Sequence, residues 1–303
     1  MAHPPDRSHV LTEQRNPRTM DLHALSVAQC VQVIQQEDRE VIAALEAAAP
    51  EIDAFISAAE PGFAIGGRLV YVGAGTSGRL GVLDASEAPP TFQVEPGRIV
   101  GIIAGGDSAL RKSSEGKEDD HRGAWDELRA LELDAKDSVI GIAAGGTTPY
   151  VHGVFEFLAS LPSRPTSALL TCSPVPKPKG ADRLIVLETG PEVLTGSTRM
   201  KAGTATKMAL NTISTVLMVR SGRVYENLMV DLRATNEKLR DRAARIISTL
   251  TGLARAEALE LLERAGNTVK AAVVMHHKKV DRAGAERLLE QHHGRLERVL
   301  GHK

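Results

Sequence analysis

"RLVYVGAGTSGRLG", residues 68–81, joins a short apolar run to a turn rich in glycine and hydroxyl groups. The apolar run has the length and the β-branched content of a buried strand, and the residues from Arg79 onward are typical of a helix. A turn of this kind between a strand and a helix presents backbone N–H groups and hydroxyls to an anion. The stretch therefore predicts an α/β protein that binds an anion at this strand end.

Further short apolar runs indicate the rest of the sheet. They are "RIVGIIA" (98–104), "SVIGIA" (138–143), "SALLT" (167–171) and "RLIVLE" (183–188), and helical stretches separate them. This alternation predicts a parallel sheet with helices on both faces, and such sheets bind ligands beyond the carboxyl ends of their strands. A second strand end, "GIAAGGTTPYV" (141–151), repeats the plan of the first, with hydroxyls at Thr147 and Thr148.

The flanking segments have helical patterns. Apolar residues recur at helical spacing over residues 21–59, and Pro50 is expected to divide this stretch into two helices. Residues 223–303 are highly charged and predict a small helical bundle, with breaks at Thr251–Gly252 and Gly266–Asn267. We expect three parts: an arm with helices (1–58), a central α/β domain (59–222) and a C-terminal helical domain (223–303).

Composition limits the classes of protein. The chain has 303 residues, 42% of them hydrophobic, and a formal net charge of −1, so a nucleic-acid partner is not expected. The cysteines, Cys30 and Cys172, form no C-x-x-C pair, which argues against a zinc knuckle or a redox dithiol. The N-terminal residues lack the apolar core of a signal peptide and no apolar run is long enough to cross a bilayer. We expect a cytoplasmic protein with no membrane partner.

Three ligands are conceivable for the turn at 73–81. Gly73, Gly75 and Gly78 satisfy the G-x-G-x-x-G pattern of dinucleotide sites, but the acidic residue expected about 20 residues later is not evident. A Walker A loop requires a Gly-Lys-Ser/Thr sequence, which is absent here. A monophosphate fits the hydroxyls of both turns and the helix dipole. Helix capping by Ser77 and Thr148 remains compatible with each ligand.

Carboxylates near the two turns are candidate acids and bases. Glu87 is expected near the end of a helix that stops before Pro89–Pro90, where burial would raise its pKa and suit it to donate a proton. An ordinary surface position is the alternative. Five further carboxylates cluster between the second and third strands, and the sequence alone does not choose among Asp107, Glu115, Glu118, Asp119 and Asp120. No spacing fits a known metal site.

Four long motifs resemble the N-acetylmuramic acid 6-phosphate etherase family. They are "TEQRNPRTMDL" (12–22), "GAGTSGRLGVLDASEAPPTF" (73–92), "TGSTRMKAGTATKMALNTIST" (195–215) and "NLMVDLRATNEKL" (227–239). The resemblance implies a sugar isomerase (SIS) domain, which is a five-stranded, flavodoxin-like parallel α/β sandwich, preceded by helices and followed by a small, UBA-like helical domain. It also implies a homodimer that needs neither a metal nor another cofactor.

The same resemblance implies a reaction and its residues. The lactyl ether of N-acetylmuramic acid 6-phosphate is eliminated and water is added, which gives N-acetylglucosamine 6-phosphate and D-lactate. Glu87, in "DASE", corresponds to the proton donor, and Glu118, in "EGKED", corresponds to the base. The residues expected to bind the phosphosugar are Gly75, Thr76, Ser77, Gly78, Arg79, Thr147, Thr148 and Ser197.

One motif departs from the family. The family usually reads "ASGRTPYV", and this chain reads "AAGGTTPYV" at residues 143–151, so Gly145 or Gly146 replaces the serine and Thr147 replaces the arginine.

Two other functions are alternatives to the etherase. The chain is similar in domain type to glucokinase regulatory protein, a non-catalytic phosphosugar sensor, and an aldose–ketose phosphate isomerase would use the same proton abstraction at C2. Retention of Glu87 and Glu118 favours the etherase.

Overall fold

A computed structural model describes residues 6–112, 114–232, 234 and 236–301. The chain forms two compact units, Met1–Ser86 with Gly97–Ser214, and Glu87–Pro96 with Thr215–Lys303. The first contains the large sheet and the second consists mainly of short helices. Among the described residues, no helix combines the length and the apolar character needed to cross a membrane.

Five parallel strands form the sheet of the first unit. They are β1 (Leu69–Gly73), β2 (Ile99–Ile103), β3 (Ser138–Ile142), β4 (Thr166–Thr171) and β5 (Arg183–Val186), in the order β2-β1-β3-β4-β5. Every residue of β1 and of β3 is buried, as expected for strands that are covered on both faces. The predicted five-stranded α/β sheet is therefore confirmed, and its order is that of flavodoxin-like folds.

Helices cover both faces of this sheet. They are α1 (Val27–Glu37), α2 (Glu40–Ala64), α3 (Gly75–Phe92), α4 (Trp125–Ala130), α5 (Pro149–Ala159) and α6 (Lys201–Arg220). Helix α2 contacts β3, β4 and β5, whereas α5 contacts β1 and β3. Val70, Val139 and Leu169 from three neighbouring strands share one apolar cluster with Val151 and Phe155 of α5. This packing fixes the positions of the strand ends.

Two predicted helix boundaries were wrong, both at prolines. Helix α2 continues through Pro50, and the break between α1 and α2 lies at Asp38–Arg39 instead. Helix α3 likewise continues through Pro89 and Pro90 to Phe92. A proline costs an α-helix about 3 kcal/mol, but its φ value is compatible with helical backbone. Burial of the apolar face of α2 on both sides of Pro50 offsets that cost.

The second unit contains the C-terminal helices. They are α7 (Glu237–Thr251), α8 (Arg255–Arg264), α9 (Val269–Lys278), α10 (Arg282–Gln291) and α11 (Leu296–Leu300), preceded by the hairpin of β6 (Val224–Tyr225) and β7 (Leu228–Met229). Both predicted breaks are confirmed, since Gly252 has a φ of +76° and Gly266 a φ of +66°. Helix α9 is the central element, because its residues Val269–Val274 are all buried.

Candidate functional site

The crevice of the sheet lies where the strand order reverses. Strand β1 is paired with β2 on one side and with β3 on the other, so the chain leaves β1 and β3 towards opposite edges. Ligands of open α/β sheets bind beyond the carboxyl ends of the strands at such a switch point. The two glycine- and hydroxyl-rich turns follow these same two strands.

The first turn brings the start of α3 directly onto the end of β1. Gly75 has a φ of +53°, which favours glycine. A Cβ atom on Gly78 would stand 2.6 Å from the carbonyl oxygen of Gly73 and 2.6 Å from Cγ1 of Ile103, so only glycine fits there. The backbone N–H groups at the start of α3 and the Thr76 and Ser77 side chains therefore lie at the strand end, where the helix dipole favours an anion.

The second turn separates the roles of its two glycines. Gly146 has a φ of +72°, and a Cβ atom there would stand 2.8 Å from Val175 Cγ1 and 2.9 Å from Thr171 Oγ1. Gly145 has no such backbone restriction, so Gly145 occupies the position at which a serine is expected. Thr148 is the N-cap residue of α5, yet its side chain makes no capping hydrogen bond within the described chain. Its hydroxyl is thus not used by the helix.

A cavity of about 210 Å³ lies between the two turns. We call it the strand-end cavity. It brings together residues from the first turn, the second turn and the loop before α4, which are far apart in sequence. Six predicted site residues line it, namely Gly75, Thr76, Ser77, Glu118, Thr147 and Thr148.

Four predicted residues are not in the lining of the strand-end cavity. Gly78 and Ser197 are each next to a lining residue in sequence, Ser77 and Thr198 respectively. The Arg79 guanidinium donates hydrogen bonds to the carbonyl oxygens of Leu110 and Lys112, at 3.3 and 3.4 Å, and so holds the loop after β2. Glu87 is exposed, which agrees with the alternative of an ordinary surface position, and it lies within α3 rather than at its end.

The structure separates Glu118 from Asp107, Asp119 and Asp120, and the Glu115 side chain lies outside what the structure describes. Glu118 is half-buried and lines the cavity, whereas Asp107, Asp119 and Asp120 are exposed. Its carbonyl oxygen accepts a hydrogen bond of 3.0 Å from the N–H of Tyr150, in the first turn of α5. The carboxylate is thereby placed beside the second hydroxyl turn.

The N-terminal arm, residues 6–19, supplies cavity residues that the sequence did not reveal. Arg7, Val10 and Glu13 line the cavity together with Thr198. The arm is held by the segment before α6: the N–H of Gly196 donates to the Thr12 carbonyl oxygen at 3.1 Å. The sequence predicted an arm within residues 1–58 but gave no indication that the arm reaches the strand ends.

A buried ion pair anchors the end of this arm. Asn16 and Arg18 donate hydrogen bonds to the carboxylate of Glu37, at the end of α1, and so does Lys201, whose Nζ lies 2.8 Å from Glu37 Oε2. Lys201 and Glu37 are 0% and 4% exposed. The hydrogen bond from Arg18, followed by those from Lys201 and Asn16, outweighs burial and lowers the pKa of Glu37 to about 2.

Metal-ligating groups are not concentrated at this site. Within the described ranges, no three histidine, cysteine or carboxylate side chains come together in a way that could hold a metal ion. The cavity instead offers hydroxyls, backbone N–H groups, one guanidinium and two carboxylates. Such a set can bind a phosphate and move a proton.

Comparisons with known proteins give two family-model matches and several nearly full-length relatives. Residues 49–159 match the model of the glucokinase regulatory protein N-terminal SIS domain, and residues 226–283 match the C-terminal lid domain of that protein. N-acetylmuramic acid 6-phosphate etherases align over nearly the whole chain. That of Gloeobacter violaceus is 50% identical over 293 residues, covering 96% of this chain and 95% of its own. That of Crocosphaera subtropica is 48% identical over 296 residues, covering 97% and 96%. That of Salmonella agona is 47% identical over 294 residues, covering 97% and 98%.

Proposed function

The chain belongs to the N-acetylmuramic acid 6-phosphate etherase family, and from this we propose that it converts N-acetylmuramic acid 6-phosphate and water into N-acetylglucosamine 6-phosphate and D-lactate. The observation that carries the proposal is the strand-end cavity at the switch point, where two hydroxyl turns and Glu118 line one space. A phosphosugar needs the turns for its phosphate, and an elimination needs a base beside the sugar.

The proposed steps balance with two glutamates. The Glu118 carboxylate takes the proton from C2 of the open-chain sugar, which the C1 aldehyde makes acidic. The C3–O bond breaks, and Glu87 protonates the departing lactate oxygen. Glu87 then removes a proton from a water molecule as the water oxygen adds to C3, while Glu118 returns a proton to C2. Both glutamates end in their starting states, so no redox partner is required.

An isotope-labelling experiment tests which bonds break and form in these steps. In water enriched in oxygen-18, the amino-sugar product should carry the label at C3 and D-lactate should carry none. Label in D-lactate would mean hydrolysis at the lactyl carbon and would refute the elimination. If no D-lactate forms and the phosphosugar still binds measurably, the alternative hypothesis of a non-catalytic phosphosugar sensor is favoured. The two matches to glucokinase regulatory protein models are consistent with that alternative.

A homodimer is part of the proposal. Glu118 lines the strand-end cavity, whereas Glu87 is not among its lining residues. A second copy that contributes Glu87 would complete the site. Val27 and Val31, one turn apart on α1, are 84% and 50% exposed and offer apolar surface for such an association.

Mixing two inactive variants tests the shared site. Glu87→Gln and Glu118→Gln chains that exchange subunits should regain about one quarter of wild-type activity, because random pairing gives mixed dimers that each hold one intact site. Inactive mixtures, in spite of demonstrated subunit exchange, would mean that each chain supplies both glutamates.

We place the protein in the cytoplasm, in the recycling of peptidoglycan amino sugars. Both cysteines are unpaired, Cys172 being buried, which suits a reducing compartment.

A further inference from the structure

The lining of the strand-end cavity contains few cationic side chains for a phosphorylated ligand. Its lining includes two carboxylates, those of Glu13 and Glu118, and four hydroxyl side chains from the two turns. A phosphate dianion between two carboxylates is repelled, and neutral hydroxyls compensate only in part. Among the described residues that line the cavity, Arg7 alone carries a positive charge.

The arm places Arg7 at the second turn. The N–H of Val10 donates a hydrogen bond of 2.9 Å to the carbonyl oxygen of Arg7, which closes a turn between them. Val10 is only 4% exposed, and its Cγ1 lies 3.3 Å from where a Cβ atom of Gly145 would stand. Arg7 is therefore three residues from a side chain packed on the wall that Gly145 and Thr147 form.

Further contacts keep this part of the arm in place. The N–H of Thr12 donates to Ser173 Oγ at 3.3 Å, beyond the end of β4. The Thr12 hydroxyl is fully buried, has no partner among the described residues, and lies 3.5 Å from the same Cβ position of Gly145. The arm thus brings a polar side chain close to the second turn.

We propose that Arg7 binds the phosphate group of the substrate, as the cation of the strand-end cavity. This rests on the proposed function, which supplies the phosphosugar. A guanidinium forms two parallel hydrogen bonds with phosphate oxygens and keeps its charge at every physiological pH. Thr147 and Thr148 then donate to the remaining oxygens, and Glu118 faces the sugar.

The test is a comparison of ligand affinities by calorimetry. Arg7→Gln should weaken the binding of the product, N-acetylglucosamine 6-phosphate, about 10- to 100-fold. It should leave the weak binding of unphosphorylated N-acetylglucosamine unchanged. If the substitution instead disordered the whole arm, the binding of both sugars would weaken. Arg7→Lys should recover part of the loss. The matched control is Arg15→Gln, because Arg15 is exposed on the same arm and outside the cavity lining.

Each outcome decides the inference. Equal losses for phosphorylated and unphosphorylated sugar would overturn it, as would a raised KM for the lactyl-bearing substrate with unchanged product binding, since Arg7 would then contact the lactyl carboxylate. Product binding does not require turnover. A wild-type protein that releases no D-lactate, but whose Arg7→Gln variant loses product affinity, would refute the proposed function and retain the role of Arg7.

Discussion

Replacing Glu37 with Gln tests how the N-terminal arm is held in place. The pKa of Glu37 lies at about 2, against an ordinary value of 4.5. This difference corresponds to about 3 kcal/mol of folding free energy at pH 7. It is an upper value, because Arg18, which makes the strongest contact, is 57% exposed. We therefore expect Glu37→Gln to lower the free energy of unfolding by about 2–3 kcal/mol, at or below that upper value.

The pH dependence has a definite sign. A depressed carboxyl pKa contributes stability above the unfolded value and loses it as the pH falls towards the folded value. The difference between wild type and Glu37→Gln in the free energy of unfolding should thus shrink by roughly 40% between pH 7 and pH 3.5.

Denaturant unfolding, followed by fluorescence, measures both values. The single tryptophan, Trp125, reports on the correct unit, because its indole N–H donates to the Gly153 carbonyl oxygen at 2.9 Å. Glu40→Gln is the matched control, because Glu40 is half-exposed and its Oε1 lies 3.7 Å from a guanidinium nitrogen of the same Arg18. We expect this control to lower the free energy of unfolding by less than about 0.5 kcal/mol. A Glu37→Gln loss as small as that of the control, or one that is independent of pH, would refute the reasoning.

Three further predictions concern the site. Glu118→Gln should lower kcat by about 10²- to 10⁴-fold while sparing product binding, because an amide does not accept the C2 proton; near-native turnover would assign the base elsewhere. Ser77→Ala should weaken phosphosugar binding by roughly 1.5–3 kcal/mol, as measured by calorimetry, and unchanged affinity would remove Ser77 from the phosphate site. Gly78→Ala should abolish binding and destabilise the fold, since its methyl group would stand 2.6 Å from the Gly73 carbonyl oxygen; a soluble variant with normal affinity would show that α3 shifts freely.

The sheet could be predicted because its signal is local. Each strand is a short apolar run that ends at glycine or at a hydroxyl residue, and burial on both faces makes such a run continuous. The two turns could also be predicted as neighbours, since parallel strands end at one edge. The continuation of α2 through Pro50 and of α3 through Pro89–Pro90 could not be predicted, because tertiary packing offset the local cost of proline.

The functional site could be predicted only in part, because tertiary contacts also decide which residues reach it. Thr76, Ser77 and Thr147 follow strands and are placed by them, so their convergence could be predicted. Arg7 and Glu13 reach the cavity through contacts with residues about 160 positions later, such as that of Thr12 with Ser173, and no periodicity records such pairs. Arg79 follows the glycine turn in sequence, but helical geometry directs it to the carbonyl oxygens of the loop after β2.

The anchor of the arm also has a consequence for biosynthesis. Glu37 and Lys201 are 164 residues apart, so at a translation rate of ~5–20 residues per second the ribosome releases Glu37 roughly 10–30 s before its ammonium partner. During that interval Arg18 and Asn16 have no buried site to enter. The arm is synthesised before α6 but docks after it, and a nascent chain acquires the arm's wall of the cavity only after α6 has emerged.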